Sequence, residues 1–496
     1  MEIKNIRKLQ NGSDVRGIAI AGVPGEPVNF TQEMVMKIAF SFAIWLENKL
    51  AKKAPLSIAV GRDSRISGPH FAQAVALGLV CKGNKVYQCG IATTPAMFMT
   101  TVDPVLNTDG AMMVTASHLP YNRNGLKFFT KEGGLNKEDI AEILELAETV
   151  ETSFTPGGQA VDYDFIPSYA KNIVELIREK TKQEQPLAGS HIVVDAGNGA
   201  GGFFAEQVLQ PLGADTKGSL YLDPDGNFPN HVPNPEDPQA IEHITKAVLD
   251  NQADMGIIFD TDVDRAAIID EKGNAINRNG FIAFIASLLL KDYPGSTIVT
   301  DSITSTGLTE YIQNLGGKHH RFKRGYKNVI NEAIRLNEAG IETHLAMETS
   351  GHGAIKENYF LDDGAHLVTL ALIKFAELHQ SGKPISSFLE GMKEPEEAKE
   401  IRFKIAVEDF KAYGAKVLEE FKIFAASQPG WTLVEPNYEG VRVSCDETAG
   451  NGWCLLRMSL HDPIMPLNIE SDSVGGCEVI QTTLTEYLDQ FGALKQ

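Results

Sequence analysis

The chain has little that would tie it together covalently or hold it in a bilayer. Its 496 residues include only five cysteines, Cys81, Cys89, Cys445, Cys454 and Cys477. An odd number with no Cys-x-x-Cys spacing argues against a disulfide framework and fits scattered free thiols in a reducing compartment. No apolar run is long enough to span a bilayer, and Met1-Glu-Ile-Lys-Asn lacks the apolar stretch of a signal sequence. A cytoplasmic location is expected. Basic residues are also in short supply, 45 Lys and Arg against 65 Asp and Glu, for a net charge of −20. That balance disfavours nucleic acid or an anionic membrane as partner. It also repels anionic substrates at long range, so a phosphate-binding cleft needs locally clustered Arg and Lys. What remains is ordinary for a globular protein, 43% hydrophobic and 22% charged, with length for three or four domains.

Three stretches share one plan. An apolar strand ends in a polar turn at Ser57-Ile-Ala-Val-Gly-Arg-Asp63, at His191-Ile-Val-Val-Asp-Ala-Gly197 and at Ser296-Thr-Ile-Val-Thr-Asp-Ser302. A helix-like segment then runs into Gly83, Gly213 or Gly316, and a new strand begins beyond, as at Lys85 and Lys318. Each stretch later reaches a second apolar strand: Ala111–Ser117, Met255–Asp260 and His344–Glu348. The expected fold is α/β, three similar α/β domains with mixed, mostly parallel sheets plus a C-terminal α+β domain. The expected boundaries are 1–155, 156–273, 274–390 and 391–496. In such sheets ligands bind beyond the carboxyl ends of strands, which is where the polar signatures fall.

The first signature is Val114-Thr-Ala-Ser-His-Leu-Pro120. Ser117 is a hydroxyl that can carry phosphate once a metal or base activates it, and His118 stands beside it. The second, Asp260-Thr-Asp-Val-Asp-Arg265, offers three hard oxygen ligands for Mg²⁺. In an extended loop alternate residues project to one side, so Asp260, Asp262 and Asp264 are expected to converge on one cation. Arg265 ends the run with a guanidinium for phosphate or phosphoserine. The third, Met347-Glu-Thr-Ser-Gly-His352, supplies Glu348, Ser350 and His352, groups able to grip sugar hydroxyls.

With these three in this order, nearly the whole chain resembles the α-D-phosphohexomutases, the phosphomannomutase/phosphoglucomutase enzymes. The resemblance implies that Ser117 is phosphorylated and passes its phosphoryl group to the sugar. It implies Mg²⁺ held by Ser117, Asp260, Asp262 and Asp264, and a hexose 1,6-bisphosphate as intermediate and activator. Lys127, in Gly125-Leu-Lys127, is the matching candidate for proton transfer, and Arg16, in Ser13-Asp-Val-Arg-Gly17, is placed by the serine. Gly61-Arg-Asp-Ser-Arg65 is read as a buttress of the first domain. Lys327, in Lys323-Arg-Gly-Tyr-Lys327, matches a loop that helps hold substrate. The partners implied are sugar phosphates of mannose, glucose or glucosamine, and the C-terminal domain is expected to close as a lid.

Three departures stand out. Leu119 follows the Ser-His pair where the family usually has Asn, and Thr261 stands where it usually has Gly. The family's tail loop, Arg-x-Ser-Gly-Thr-Glu-Pro, here reads Arg457-Met-Ser-Leu-His-Asp-Pro463. Arg457 and Ser459 are kept, but Leu460-His461 replaces the Gly-Thr whose backbone turns inward as an anion nest. His461, if cationic, is a substitute donor, and Asn468 and Ser471 follow as further donors.

A rival from another class is a nicotinamide oxidoreductase. Gly197-Asn-Gly-Ala-Gly-Gly202 is a literal Gly-x-Gly-x-x-Gly after a strand, with Asp223 beyond it. Against it, the other two equivalent strand ends lack the pattern. A third reading, a silent sugar-phosphate binder, does not need a metal-facing serine.

Overall fold

The computed structural model describes residues 6–53, 55–151, 155–389, 391–459 and 462–495. By compactness the chain forms two units, Met1–Leu288 with Ser350–Glu390, and Leu289–Thr349 with Gly391–Gln496.

The first unit contains two sheets. The larger runs in the order Gln10–Asn11, Asp14–Ile18, Arg123–Thr130, Gly110–Val114, Ser57–Arg62, Lys85–Ile91, Gln159–Asp162. Its middle strands are parallel, Ser57–Arg62 lying between Lys85–Ile91 and Gly110–Val114. Arg123–Thr130 joins antiparallel on the far side of Gly110–Val114. Gly110–Val114 is buried along its whole length, which is why it reads as an unbroken apolar run. Helices cover the sheet. Thr31 caps Gln32–Leu50 by accepting the Met34 N–H at 3.3 Å, and Ala51 ends it in the left-handed region. Its Val35, Ile38, Phe42, Trp45 and Leu46 recur at helical spacing and pack in one core with Val60, Met112 and Phe128.

The second sheet of this unit runs Ala275–Ile276, Ala266–Asp270, Met255–Phe259, Ile192–Asp195. Ile192–Asp195 is parallel to Met255–Phe259, which pairs antiparallel with Ala266–Asp270. The acidic run is therefore the turn of a β-hairpin. The middle repeat departs from its siblings: after Gly213 there is no full strand, only single bridges His191↔Asp215 and Asp195↔Leu220. The segment after the glycine loop, Phe204–Leu209, is π-helical.

In the second unit Thr297–Thr300 pairs in parallel with both Lys318–Arg321 and Thr343–Met347. The C-terminal sheet is antiparallel, in the order Trp431–Leu433, Val441–Cys445, Gly452–Leu456, Ile464–Ser471, Glu397–Ile405, Leu494–Lys495. Helices Phe410–Ser427 and Gly476–Leu488 pack on it through Val417, Phe421, Ile480 and Leu484. The fold is thus three α/β/α repeats with mixed sheets and a C-terminal domain of antiparallel sheet and helices. Among the described residues no helix is long and apolar enough to cross a membrane.

Candidate active site

Ser117 lies just past the strand Gly110–Val114, in the left-handed region with φ 54°. A non-glycine residue there costs of order 1–3 kcal/mol and persists only when its surroundings impose it. Here they do. The Ser117 N–H donates to Thr115 Oγ1 at 2.9 Å, and its carbonyl accepts from Arg65 Nη2. The same guanidinium donates to the carbonyls of Leu119 at 2.6 Å, Pro120 at 2.8 Å and Arg123 at 3.0 Å. Arg65 is fully buried and its Nε donates to Asp63 Oδ2 at 3.2 Å. Burial pushes Asp63 up to about 6, against the pull of Arg65. Sequence reading made Arg65 a buttress of its domain; the structure shows it shaping the serine loop itself. Leu119 contributes its carbonyl to that grip.

The hydroxyl is held as closely as the backbone. Ser117 Oγ donates to Asp260 Oδ2 at 3.1 Å and accepts from Arg265 Nη2 at 3.0 Å. Arg265 also donates to Asp260 through Nε at 3.2 Å and through Nη1 to Asn234 Oδ1 at 3.2 Å. His118 Nδ1 lies 3.3 Å from Ser117 Oγ and 2.5 Å from Arg265 Nη2. A guanidinium only donates, so Nδ1 accepts and the imidazole is neutral on that side. Burial and the charges of Arg265 and Arg16 accordingly push His118 far below its ordinary range. Arg16 is thus close enough to act on the site by charge, while its Nη2 pairs with Asp14 at 2.8 Å.

The acidic loop converges differently from the expected extended alternation. Asp260 N–H donates to the Arg265 carbonyl at 3.2 Å, and Val263 N–H to the Asp260 carbonyl at 3.3 Å, closing a tight turn. Val263 sits at φ 64°, a rare conformation for a β-branched residue. This turn gathers the three carboxylates, whose ligand oxygens lie within 4.8 Å of one another, all buried. Donors grip one side of each. Arg265 and Ser117 hold Asp260 Oδ2. Thr94 Oγ1 donates to Asp262 Oδ2 at 2.5 Å, and Lys127 Nζ donates to Asp264 Oδ2 while lying 3.4 Å from Asp262 Oδ2. Asp262 Oδ1 and Asp264 Oδ1 are buried without a hydrogen-bond partner. Buried hard oxygens beside one another that accept no hydrogen bond fit a divalent cation such as Mg²⁺.

The local charges follow from this crowding. Burial, then Asp264 and Asp262, push Asp260 well up, against Arg265. Burial also works to raise Asp264, but Lys127, His352 and Arg265 outweigh it and hold it well below the carboxylate range. His352 Nδ1 donates to Asp362 Oδ2 at 2.6 Å and lies 3.9 Å from Asp264 Oδ1. Burial opposes its charge, but Asp362 and Asp264 raise it to about 9. Asp362, which also accepts the Gly353 N–H at 2.9 Å, is a further residue that sequence reading missed. Ser350 belongs to this unit and is buried.

The second unit carries the remaining candidates. Glu348 is buried and its Oε1 accepts the Gly325 N–H at 2.6 Å, at the start of helix Tyr326–Glu338, whose first turn holds Lys327. Thr349 Oγ1 donates to Asp301 Oδ2 at 2.8 Å, and Arg324 Nε lies 3.5 Å from the same oxygen. Arg457 follows the strand Gly452–Leu456, is 6% exposed, and its Nε has no hydrogen-bond partner. Ser459 N–H donates to the Ile464 carbonyl at 2.9 Å. His461 and Leu460 lie outside the described residues. Asn468 Nδ2 donates to Glu400 at 3.1 Å. Ser471 is not a spare donor: its hydroxyl donates to the Gly450 carbonyl at 2.7 Å.

Comparison with known proteins decides the family. Models of phosphoglucomutase/phosphomannomutase α/β/α domains I, II and III match residues 7–153, 167–273 and 277–394. The chain belongs to the phosphoglucomutase/phosphomannomutase family. It is 30% identical over 429 residues to a phosphomannomutase/phosphoglucomutase of Pseudomonas putida, covering 86% of this chain and 85% of that one. It is 31% identical over 464 residues to a phosphoglucomutase/phosphomannomutase of Thermococcus kodakarensis, covering 92% and 93%. A solved family protein from Burkholderia thailandensis shares the fold, with TM-score 0.79 at 24% identity, covering 97% and 96% of the two chains. The glycine loop falls inside domain II of this family, and its packing is that of scaffold. A Cβ on Gly199 would lie 2.6 Å from the Thr261 carbonyl oxygen, and one on Gly202 2.0 Å from that of Leu222. Those glycines admit the chain's own backbone, so the family and the packing both disfavour the nicotinamide reading.

Proposed function

We propose that this family member interconverts hexose 6-phosphate and hexose 1-phosphate, of mannose and/or glucose, through a phosphoserine at Ser117 and a hexose 1,6-bisphosphate. The observation that carries this reading is Ser117 Oγ, buried between the Asp260 carboxylate and the Arg265 guanidinium. Phosphorylated Ser117 transfers its phosphoryl group to the free hydroxyl of the substrate: the bond to Oγ breaks and one to the sugar oxygen forms. The bisphosphate turns over and returns its other phosphoryl group to Ser117. Arg265 stabilises charge on Oγ as the bond breaks. Lys127 moves the proton of the attacking or leaving hydroxyl, and Arg16 and His118 position the groups around the serine. Asp260, Asp262 and Asp264, with Ser117, would hold Mg²⁺, which would supply charge neutralisation at the transferring phosphoryl group. Glu348, Ser350 and His352 read sugar hydroxyls, while Lys327, Arg457, Ser459 and His461 hold the remote phosphate. The functional division is into domains 1–155, 156–273, 274–390 and 391–496, in a cytoplasmic enzyme. The test is turnover of mannose, glucose and glucosamine 1-phosphates with Mg²⁺ and a bisphosphate primer. Turnover of the first two supports the reading; tight binding of all three without turnover would mean a silent binder.

A further inference from the structure

Thr94 stands where two parts of the first unit meet. It is the first residue of helix Thr94–Val102, 3% exposed, and neither the sequence motifs nor the proposed chemistry uses it. Its backbone N–H donates to the Asp262 carbonyl at 2.9 Å, and its hydroxyl to Asp262 Oδ2 at 2.5 Å. The helix does not need that hydroxyl as a cap. Thr93 is the N-cap, accepting the Ala96 N–H at 3.1 Å. The second observation is on the other side of the carboxylate, where Asp262 Oδ1 is fully buried and has no hydrogen-bond partner.

We infer that Thr94 is a positioning residue for the cation site: its hydroxyl fixes Asp262 Oδ2 and thereby aims Oδ1 at a divalent ion. The inference rests on the cation reading above. A carboxylate can turn about its Cβ–Cγ bond and present either oxygen, and Lys127 Nζ, 3.4 Å from Oδ2, competes for it. A neutral donor on one oxygen removes that freedom without cancelling the charge a cation needs. The N-terminus of the helix adds a favourable partial charge beside the Asp262 side chain. Because the backbone bond from Thr94 persists when the side chain changes, the loop stays docked and only the carboxylate is released.

The experiment is titration of Mn²⁺ and of Mg²⁺ into the full chain by calorimetry, comparing parent, Thr94→Val, Thr94→Ser and Thr94→Ala. Thr94→Val and Thr94→Ala should bind Mn²⁺ roughly ten- to a hundredfold more weakly than the parent, the usual cost of losing an outer-shell partner. Thr94→Ser, which keeps the hydroxyl, should stay within about threefold. Thermal unfolding without added cation identifies variants that keep the fold, and Thr94→Ala serves if Thr94→Val does not. Equal affinity in parent and the hydroxyl-less variants, or equal weakening in Thr94→Ser, would overturn the role of Thr94 while leaving the cation site standing. A parent that binds neither ion would overturn both.

Discussion

Arg65 Nη2 donates to the backbone carbonyl of Ser117, so the residue proposed to carry phosphate is held by its main chain from a segment about fifty residues earlier. The arginine's other donors reach Leu119, Pro120 and Arg123, and Asp63 is its carboxylate partner. Five acceptors on one planar cation make a rigid mould for a loop that must keep a serine at positive φ.

Lysine at 65 keeps the charge but not the fork. Arg65→Lys should fold, melt several degrees lower and lose about ten- to a hundredfold in kcat, with little change in KM, because the serine loop relaxes. Arg65→Ala leaves Asp63 buried and unpaired and should lose about 3–5 kcal/mol of stability. Denaturant titration and steady-state kinetics on both variants check this; a full-rate Arg65→Lys enzyme would remove the mould.

Asp262→Asn removes one charged ligand from the proposed cation. Turnover should fall by roughly a hundredfold or more, with a raised Mg²⁺ requirement. Activity after exhaustive chelation matching activity with added metal would mean that the three carboxylates are only an acidic turn.

A third prediction concerns stability against pH, away from the chemistry. His231 Nε2 lies 3.0 Å from Asp195 Oδ2, and Nδ1 lies 2.9 Å from the Val232 carbonyl. Both partners are acceptors, so the ring in this geometry is an imidazolium. Burial opposes the charge, but the Asp195 hydrogen bond and its charge outweigh it, and the His231 pKa is raised. A raised histidine contributes stability that is fully present below about pH 6.5 and is lost as pH climbs through the folded value. The urea midpoint should therefore fall across that interval in the parent, and His231→Gln should flatten the fall. Parallel curves for the two proteins would contradict the assignment.

The sequence made parts of this molecule readable and hid others for physical reasons. Strands buried on both faces, such as Gly110–Val114, announce themselves as apolar runs, and the polar residues at their ends stand out by contrast. The middle repeat's missing strand was hidden because Gly213 and the residues after it look like those of its siblings. Lys127 was added by the family resemblance, while the grouping of Ser117 and the three Asp residues was legible from residue types and order. The way the loop gathers them was not, since nothing in Thr261-Asp-Val263 signals a left-handed valine. Asn234, Asp362 and Thr94 were missed, and Arg65 was read only as a buttress of its domain, because each works through a partner distant in sequence or on a different element. Asp362, for example, reads as part of an acidic turn until His352 is seen beside it.

In the second unit, Arg457→Ala should raise KM about ten- to a hundredfold, the cost of a charge-assisted bond of roughly 1.5–3 kcal/mol. Exchange of Leu460-His461 for Gly-Thr should preserve activity and flatten any loss of affinity as pH rises through the imidazole range. An unchanged KM in Arg457→Ala would show that this arginine does not hold substrate, and identical KM–pH profiles would show that His461 is not a ligand.

The account stands most directly on Ser117. Enzyme primed with hexose 1,6-bisphosphate should yield, on phosphopeptide mapping, a single phosphate on Ser117, and Ser117→Ala should carry none and show no steady-state mutase turnover. Robust turnover by Ser117→Ala, with the phosphate on another residue, would contradict it.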